Sequence, residues 1–560
     1  MEKIWLKEYP KGVPAEINPD AYASLKAIFD DSCQRYAPLT AYSNLGGSLS
    51  YAELEQKSRA FGAWLQKAAG LNKGDRVAIM MPNLLQYPVA LFGILRCGMV
   101  AVNVNPLYTA RELEHQLRDS GARAIVLVEN FAATLQEALT QVDLKFVVTT
   151  QIGDLLPFPK RSLVNFVIKR VKKMVPAWHI PGAVNLHAVL TQGAQHELEE
   201  VKVGHEDIAF LQYTGGTTGV AKGAVLTHRN MVANVLQASA WLGTYLEEGK
   251  ETIITALPLY HIFSLTANCL TFMKIGGHNV LITNPRDMPG FVKELAKVKF
   301  TGITGVNTLF NGLLHTAGFA KLDFSGLKIA LGGGMAVQRA VASKWRQVTG
   351  VTLVEAYGLT ETAPAACINP LDLKEFNGSI GLPIPSTDIS IRDDEGNELK
   401  IGEVGELCFK GPQVMRGYWN RPDETAKVLS ADGWLRTGDM GRMDARGYVY
   451  IVDRKKDMIL VSGFNVYPNE VEDVMMMHPG VLEVAAVGVE DEHSGEVVKI
   501  FVVRKDPKLT VQELKEYAHK ELTGYKRPRY IEFRNELPKS NVGKILRREL
   551  RDAERKKQQH

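Results

Sequence analysis

Short apolar runs alternate with amphipathic segments through the first 150 residues, and this alternation limits the folds that are open to the chain. Residues 54–69 carry apolar side chains at helical spacing and end before Gly70. An apolar strand follows at 76–81, and the pattern repeats as a helix at 85–95 and a strand at 100–104. Because strands joined by helices pair in one direction, this order predicts parallel sheets covered by helices.

The pattern changes further along the chain, which has too many residues for one compact core. Residues 380–450 read as short strands separated by turns, which predicts a β-rich subdomain. A charged run then precedes about one hundred residues of strand and helix. We therefore predict an N-terminal domain at residues 1–453, a hinge at 454–456 and a smaller C-terminal domain at 457–560. The expected fold class is α/β, with parallel sheets and a β-rich subdomain in the large domain and a small, mobile α+β domain. We expect the polar tail from Arg551 to be frayed.

Composition and charge argue against several classes of protein. A net charge of +4 on 560 residues gives no general argument for a nucleic-acid partner. The five cysteines lie far apart without a C-x-x-C pair, which argues against a disulfide framework or a zinc site. No apolar run reaches the roughly 20 residues of a spanning helix, and the first residues lack a secretory signal. We expect a cytoplasmic protein.

A loop rich in glycine, threonine and lysine occupies residues 214–223, after a buried-strand pattern at 208–213. Its glycines allow backbone N–H groups to approach an anion, while three threonine hydroxyls and Lys222 add donors and positive charge. The loop is not a Walker A motif, because Lys222 does not directly follow Gly219 and is not followed by serine or threonine. These residue types predict a polyphosphate cradle.

This loop resembles the signature loop of the adenylate-forming superfamily, which includes acyl-CoA synthetases, luciferases and the adenylation domains of peptide synthetases. Further motifs similar to those of the superfamily follow in the same order, and the likeness spans about residues 25–550. They lie at 257–261, 332–334, 357–361, 433–439, 453–456 and 538–544. Residues 83–93, 453–472 and 522–526 resemble the bacterial long-chain fatty-acid–CoA ligases more narrowly.

The resemblance implies that a carboxylate attacks the α-phosphate of ATP, a step that depends mainly on positioning and charge neutralisation. Lys544 would bridge the carboxylate and the α-phosphate, and Thr218 and Glu361 would hold Mg²⁺; these three residues are the implied catalytic set. The implied ATP and AMP site consists of Tyr213, Thr214, Gly215, Gly216, Thr217, Thr218, Gly219, Lys222, Gly223, Gly332, Gly333, Gly334, Tyr357, Gly358, Thr360, Asp439 and Arg454.

Within that set, the resemblance places Tyr357 against the adenine face and Thr360 near the α-phosphate. Asp439 would accept hydrogen bonds from the ribose hydroxyls, with Arg454 reaching the same sugar. The implied acyl and coenzyme A residues are His261, Phe263, Val306, Thr308 and Gly463, the last lining the pantetheine channel. Lys456 matches the hinge about which the small domain rotates after pyrophosphate leaves.

The implied activity is ATP-dependent formation of a long-chain acyl-AMP followed by acyl transfer to coenzyme A, supplying β-oxidation. Two alternatives remain. A fatty acyl-AMP ligase would load a carrier protein instead, and a regulator would bind nucleotide or acyl-CoA without turnover. Retention of Glu361, Asp439, Arg454 and Lys544 favours an enzyme over a binder, because a binder would not need the mobile lysine.

Residues 160–174 carry six basic side chains and no acidic one. On a helix, an apolar set that includes Leu163, Phe166 and Met174 falls near one face. This pattern is typical of a surface helix that meets anionic lipid, and it is also compatible with a linker helix packed on the large domain, the interpretation that the sequence favours slightly. The first interpretation predicts peripheral contact with the inner membrane surface. The sequence is compatible with a homodimer.

Overall fold

The computed structural model describes residues 2–214, 221–462, 464–491 and 494–558. Its strands, in chain order, are β1 (Thr40–Asn44), β2 (Gly47–Ser50), β3 (Arg76–Met80), β4 (Val100–Asn103), β5 (Ala124–Val128), β6 (Phe146–Thr150), β7 (Val184–Asn185), β8 (Ile208–Thr214), β9 (Lys222–Thr227), β10 (Thr252–Thr255), β11 (His278–Leu281), β12 (Gly302–Gly305), β13 (Ile329–Gly332), β14 (Leu353–Gly358), β15 (Ala365–Ile368), β16 (Leu382–Pro383), β17 (Asp388–Arg392), β18 (Gly405–Lys410), β19 (Gly417–Tyr418), β20 (Leu435–Met443), β21 (Val449–Arg454), β22 (Ile459–Val461), β23 (Phe464–Val466), β24 (Val481–Asp491), β25 (Gly495–Arg504) and β26 (Tyr530–Arg534).

The helices are α1 (Leu25–Arg35), α2 (Tyr51–Lys67), α3 (Gln86–Arg96), α4 (Ala110–Ser120), α5 (Ala132–Ala138), α6 (Lys160–Phe166), α7 (Leu186–Gly193), α8 (His228–Leu242), α9 (Ile262–Ser264), α10 (Thr271–Lys274), α11 (Met288–Leu295), α12 (Asn307–Leu314), α13 (Arg339–Thr349), α14 (Pro422–Val428), α15 (Pro468–Met476), α16 (Val511–Glu521) and α17 (Arg547–Gln558). Short π-helical segments occupy Val167–Val171 and Leu265–Leu270. Single 3₁₀ turns lie at Ile4–Glu8, Glu129–Phe131, Phe319–Lys321, Thr360–Thr362 and Gly524–Lys526.

Two largely parallel sheets form the large domain, as predicted. The first has the strand order β19-β9-β8-β4-β3-β5-β6-β7, and the second has the order β16-β15-β14-β13-β12-β10-β11-β1-β2. Strands from β8 to β7 in the first sheet pair in parallel, while β9 and β19 are antiparallel. Every residue of α3 is buried, and one core cluster joins α3 to residues of both sheets. Burial on all sides explains why these segments are almost wholly apolar.

Local signals set the helix boundaries. The first predicted helix begins at Tyr51 rather than at residue 54, because Ser50 and Glu53 form a capping box one turn earlier. Helix α4 begins after Thr109 in a second capping box and ends at Gly121 with φ of 62°.

The remaining chain forms the predicted β-rich subdomain and a smaller C-terminal domain. The subdomain is the antiparallel sheet β17-β18-β20-β21. The C-terminal domain has the order β23-β22-β25-β24, with β26 parallel to β25 and with hydrophobic clusters of its own. The hinge predicted at 454–456 starts at the last residue of β21, and the exact boundary stays a prediction.

The prediction of a frayed tail is wrong, since α17 continues to Gln558. Leu550 is buried in the C-terminal domain, and Arg551 forms a 2.6 Å ion pair with Asp457. These contacts hold a helix that its polar composition did not suggest. Among the helices described here, none combines the length and apolar character needed to cross a bilayer.

Glu355 is a buried carboxyl group on β14, 5% exposed, whose Oε1 accepts a 2.7 Å hydrogen bond from the Val337 backbone N–H. Burial raises the pKa of Glu355 from its ordinary value of 4.5 to about 8. The folded state therefore holds this proton more tightly than the unfolded chain does. Its contribution to stability is greatest below pH 4.5 and is lost as the pH rises towards 8.

We expect Glu355→Gln to remove this loss and to raise the free energy of unfolding on the order of 2 kcal/mol at pH 7, with little gain at pH 4.5. Thermal unfolding of both proteins between pH 4.5 and 8 measures the effect. An identical difference in Tm at every pH would show that ionisation of Glu355 is not its source.

Candidate active site

The predicted phosphate loop connects β8 to β9, which pair as an antiparallel hairpin. Thr214 lies opposite Lys222 and Tyr213 lies opposite Gly223, so the last residues before and after the loop are fixed in register. The predicted loop residues Gly215, Gly216, Thr217, Thr218 and Gly219 lie outside the described residues.

Contacts that the sequence did not reveal hold the base of this hairpin. The Tyr213 hydroxyl donates a 2.7 Å hydrogen bond to Asp119, which also pairs with Arg421 at 2.7 Å. Gly223 lies against the Tyr213 ring, where an added Cβ would be 3.1 Å from two ring carbons. Its carbonyl accepts a 2.8 Å hydrogen bond from the backbone N–H of Trp419. A side chain at position 223 would therefore require the Tyr213 ring to shift by a few tenths of an ångström.

Lys222 is connected to Glu361, the predicted metal ligand, through Tyr418. Its ammonium is ion-paired with Glu424 of α14 and lies 5.2 Å from the ring centroid of Tyr418. The Tyr418 hydroxyl donates a 2.7 Å hydrogen bond to Oε1 of Glu361. Hydrogen bonds from Lys222 and Lys427 lower the pKa of Glu424 to about 2. Tyr418 and Glu424 were missed because β19 and α14 reach the loop only through the pairing of β19 with β9.

The three predicted glycines lie at the end of β13, whose last residue is Gly332, and directly after it. A Cβ at Gly333 would lie 3.0 Å from the ring of Phe263 and 3.1 Å from the Ala356 carbonyl oxygen. Gly334 has φ of +76°, which favours glycine. The backbone here therefore approaches β14 and Phe263 closely, and a predicted acyl-site residue lies against a predicted adenine-site residue.

Tyr357, Asp439 and Arg454 come together although they are far apart in sequence. The Tyr357 hydroxyl donates a 2.6 Å hydrogen bond to one oxygen of Asp439, and Nε of Arg454 lies 3.3 Å from the other. Asp439 and Arg454 are paired residues of β20 and β21. Burial, with the neighbouring Asp439 charge, raises the pKa of Tyr357 well above its ordinary value, so the phenol stays a donor. Thr360 and Glu361 lie together in the 3₁₀ turn after β14.

Lys544 enters this group from the C-terminal domain. Its loop is closed by a 2.7 Å hydrogen bond from the Ser540 N–H to the Lys544 carbonyl oxygen. Burial, reinforced by the positive charge of Arg454, lowers the pKa of Lys544 to about 7, while Asp439 opposes the shift. Burial and the charge of Lys544 lower the pKa of His261 to about 4. These charge effects indicate that the lysine lies near the Asp439–Arg454 pair and His261 at once.

The other predicted acyl and hinge residues lie around the same loop. The Thr308 hydroxyl donates a 2.8 Å hydrogen bond to the Gly543 carbonyl, and Val306 lies beside the same glycine. The Lys456 carbonyl accepts a 3.2 Å hydrogen bond from Arg551, and burial lowers the pKa of the Lys456 side chain to about 8. Gly463 lies outside the described residues.

Comparison with known proteins decides the family. The family model of the AMP-binding enzymes matches residues 29–419, and that of the AMP-binding enzyme C-terminal domain matches 470–544. The chain belongs to the AMP-binding enzyme family. A long-chain-fatty-acid–CoA ligase of Escherichia coli O157:H7 is 60% identical over 100% of this chain and 99% of its own. The corresponding ligase of Bacillus subtilis is 41% identical over 99% and 98%.

Solved structures share the fold of this AMP-binding enzyme. ATP-bound MatB from Rhodopseudomonas palustris superposes with a TM-score of 0.77 at 27% identity, covering 95% of this chain and 99% of its own. An anthranilate CoA ligase in complex with anthranoyl-AMP gives a TM-score of 0.86 at 24% identity, covering 97% and 100%, a likeness of fold alone.

Gly358 of this AMP-binding enzyme provides a test of the packing around the site. A Cβ there would lie 1.8 Å from the Pro364 carbonyl oxygen, an approach that no side chain can make. We expect Gly358→Ala to force β14 and β15 apart and to cost about 3 kcal/mol or more. Gly524→Ala is the matched control, because that position meets open space. Thermal unfolding should show a large loss for the first variant alone; equal Tm values would refute the packing argument.

Proposed function

We propose that this AMP-binding enzyme is an ATP-dependent long-chain fatty acid–CoA ligase. It forms acyl-AMP and pyrophosphate from a fatty acid and ATP, then transfers the acyl group to coenzyme A with release of AMP. Full-length relatives with that name and 55–60% identity support the proposal. The single observation that carries it is the convergence of separate motifs. Tyr357 and Arg454 contact Asp439 at 2.6 and 3.3 Å. The loop that carries Lys544 docks on the large domain through the 2.8 Å hydrogen bond from Thr308 to the Gly543 carbonyl.

In the first half-reaction, Asp439 accepts hydrogen bonds from the ribose hydroxyls. The 2.6 Å hydrogen bond that the Tyr357 hydroxyl donates to this carboxylate holds it in place. Arg454 contacts the same sugar. Lys544 lies where the fatty-acid carboxylate meets the α-phosphate, and its compact charge stabilises the negative charge that develops there. A pKa of about 7 lets the lysine take up its proton as the anionic substrates arrive.

The phosphate-binding residues are Lys222 and the loop at 214–223. Glu361 and Thr218 would hold Mg²⁺. One carboxylate with substrate phosphates is a usual magnesium environment. Tyr418 donates to Oε1 of Glu361, and among the described residues no hydrogen bond reaches Oε2. Bound there, the metal would neutralise charge on the polyphosphate.

In the second half-reaction, the C-terminal domain (residues 457–560) turns about the hinge at 454–456, centred on Lys456. This movement withdraws Lys544 and brings Gly463 to the pantetheine channel. His261, Phe263, Val306 and Thr308 border the acyl group. The acyl-CoA product is the form in which fatty acids enter β-oxidation, and we infer that the enzyme supplies that route.

We expect Lys544→Ala to lower the rate of acyl-AMP formation at least a hundredfold, because no other group supplies the charge at the reacting carboxylate. Acyl-CoA formation from added acyl-AMP should largely persist. Pyrophosphate release and thioester formation measure the two steps, and Lys515→Ala, on the exposed side of α16, is the matched control.

Wild-type protein that releases no pyrophosphate with fatty acid, ATP and Mg²⁺ would refute the ligase in favour of a non-catalytic binder. Acyl-AMP formation without transfer to coenzyme A would instead identify a fatty acyl-AMP ligase. Equal loss of both steps in Lys544→Ala would contradict the separate role of the lysine.

We further propose that residues 158–174 bind an anionic bilayer. Large apolar side chains project from this segment into solvent: Phe158 (81% exposed), Leu163 (62%), Phe166 (58%), Val171 (64%) and Met174 (51%). The segment is α6 followed by a π-helical turn rather than one continuous helix. Residues 160–174 also carry six basic residues and no acidic one, a composition typical of helices that lie at a membrane surface.

The segment is anchored by its other side, which keeps these apolar groups facing outward. Oδ1 of Asn165 accepts a 2.7 Å hydrogen bond from the Gly153 N–H, and its Nδ2 donates to Asp154 at 3.1 Å. Val164 packs against the large core. This arrangement favours lipid contact over the alternative of a linker helix packed through its apolar face.

We expect the protein to co-sediment with vesicles that contain anionic lipid, and the binding to weaken as salt increases. Leu163→Ser with Phe166→Ser should reduce binding about tenfold or more through lost apolar burial. Ile401→Ser, an exposed aliphatic residue in the β-rich subdomain, is the control. If vesicle binding changes neither with salt nor in the double variant, this surface is not the one that binds the bilayer.

A further inference from the structure

Three of the polar contacts that join the C-terminal domain to the large domain come from α12 and the first residue of α13. The Thr308 hydroxyl donates to the Gly543 carbonyl at 2.8 Å. The Asn311 side-chain amide donates to the Leu482 carbonyl at 3.2 Å. The Arg339 backbone N–H donates to Oδ1 of Asp473 at 3.3 Å. Asn311 and Asp473 belong to none of the motifs that bind nucleotide, acyl group or thiol.

Two of these contacts come from one face of α12. Thr308 and Asn311 are three residues apart, so their side chains are neighbours on the helix surface. Their acceptors belong to different segments, one in the loop that carries Lys544 and one in β24. A single rigid helix therefore contacts the C-terminal domain at two separated points. Two points restrict the rotation of that domain relative to α12 as well as its distance from α12.

The loop at residues 540–544, which carries Lys544 and is called the lysine loop here, lies in close contact with α12. Gly543 has φ of +82°, and an added Cβ would lie 2.8 Å from Oγ1 of Thr308 and 3.2 Å from Val306. The carbonyl that Thr308 binds precedes Lys544 by one peptide bond. Fixing this carbonyl therefore fixes the start of the lysine side chain.

The third contact completes a helix end in the large domain. The N-cap residue of α13, Gln338, makes no capping hydrogen bond with its side chain. Asp473, on α15 of the other domain, accepts a first-turn N–H instead and places negative charge at the positive end of the helix dipole. The cap exists only while the two domains keep this orientation.

We propose that Thr308, Asn311 and Asp473 are positioning residues for adenylate formation. They select the orientation of the C-terminal domain that places Lys544 beside Asp439 and Arg454. This inference rests on the proposed function, because it assigns the docked orientation to the first half-reaction. Contacts that form in just one orientation of the domains shift the population towards that orientation by the free energy of those contacts.

The test separates the two half-reactions in single-turnover experiments on the full chain. Asp473→Ala and Asn311→Leu each remove one contact, and we expect each to slow acyl-AMP formation about 3- to 10-fold. The double variant should slow it about 10- to 100-fold, because independent losses multiply. Acyl transfer from added acyl-AMP to coenzyme A should keep its rate, since that step uses the other orientation.

Conservative variants distinguish positioning from damage to the fold. Asp473→Asn keeps an acceptor oxygen and should restore most of the rate lost in Asp473→Ala. Thr308→Ser should likewise form acyl-AMP faster than Thr308→Val, because serine keeps the hydroxyl. Asp506→Ala removes a carboxylate that bonds only within its own turn, and it should leave both half-reactions unchanged.

The proposal is overturned if the double variant forms acyl-AMP at the wild-type rate. It is equally overturned if both half-reactions slow together, or if the Tm of the double variant falls in proportion to the rate. Absence of pyrophosphate release in the wild-type protein would instead overturn the proposed function. The wild-type control therefore separates the two failures.

Discussion

The burial of one lysine ammonium beside an arginine and an aspartate is the interaction on which the rest of the site depends. Lys544, Arg454 and Asp439 form a group with two positive charges and one negative charge, and desolvation lowers the pKa of Lys544 to about 7. Such a group is unfavourable until anions neutralise it. This charge balance supports the proposal that a nucleotide phosphate and a carboxylate bind at the domain interface.

The hinge region shows how the fold holds this interface. Asp453 is fully buried, and its carboxylate accepts from the backbone N–H of Asn469 at 2.8 Å and faces Arg547 at 3.3 Å. Arg547 also pairs with Glu472. Burial outweighs the arginine and raises the pKa of Asp453 to about 6. The residue before the predicted hinge is thus tied by buried charges to the C-terminal domain, and such charges are costly to separate. Arg551 adds an ion pair to Asp457 on the far side of the hinge.

Much of the fold could be predicted from the chain because its signals are local. The strand at 124–128 is an uninterrupted apolar run, and α4 begins and ends at residues with recognisable capping roles. The tail was mispredicted because α17 depends on Leu550 and Arg551, whose partners lie elsewhere in the C-terminal domain. The segment after residue 160 was expected as one helix, yet a π-helical turn replaces its second half.

The sequence alone determined the motifs and their order, and from these the chemistry was predicted: a glycine-rich loop, the carboxylate of Asp439 and a C-terminal lysine. Only the tertiary structure decided that Tyr418 supports Glu361, that Glu424 holds Lys222, and that Thr308 contacts the residue before Lys544. The physical reason is that motif residues carry their chemistry in their own side chains. Supporting residues are ordinary until strand pairing and domain docking bring distant segments within hydrogen-bond distance.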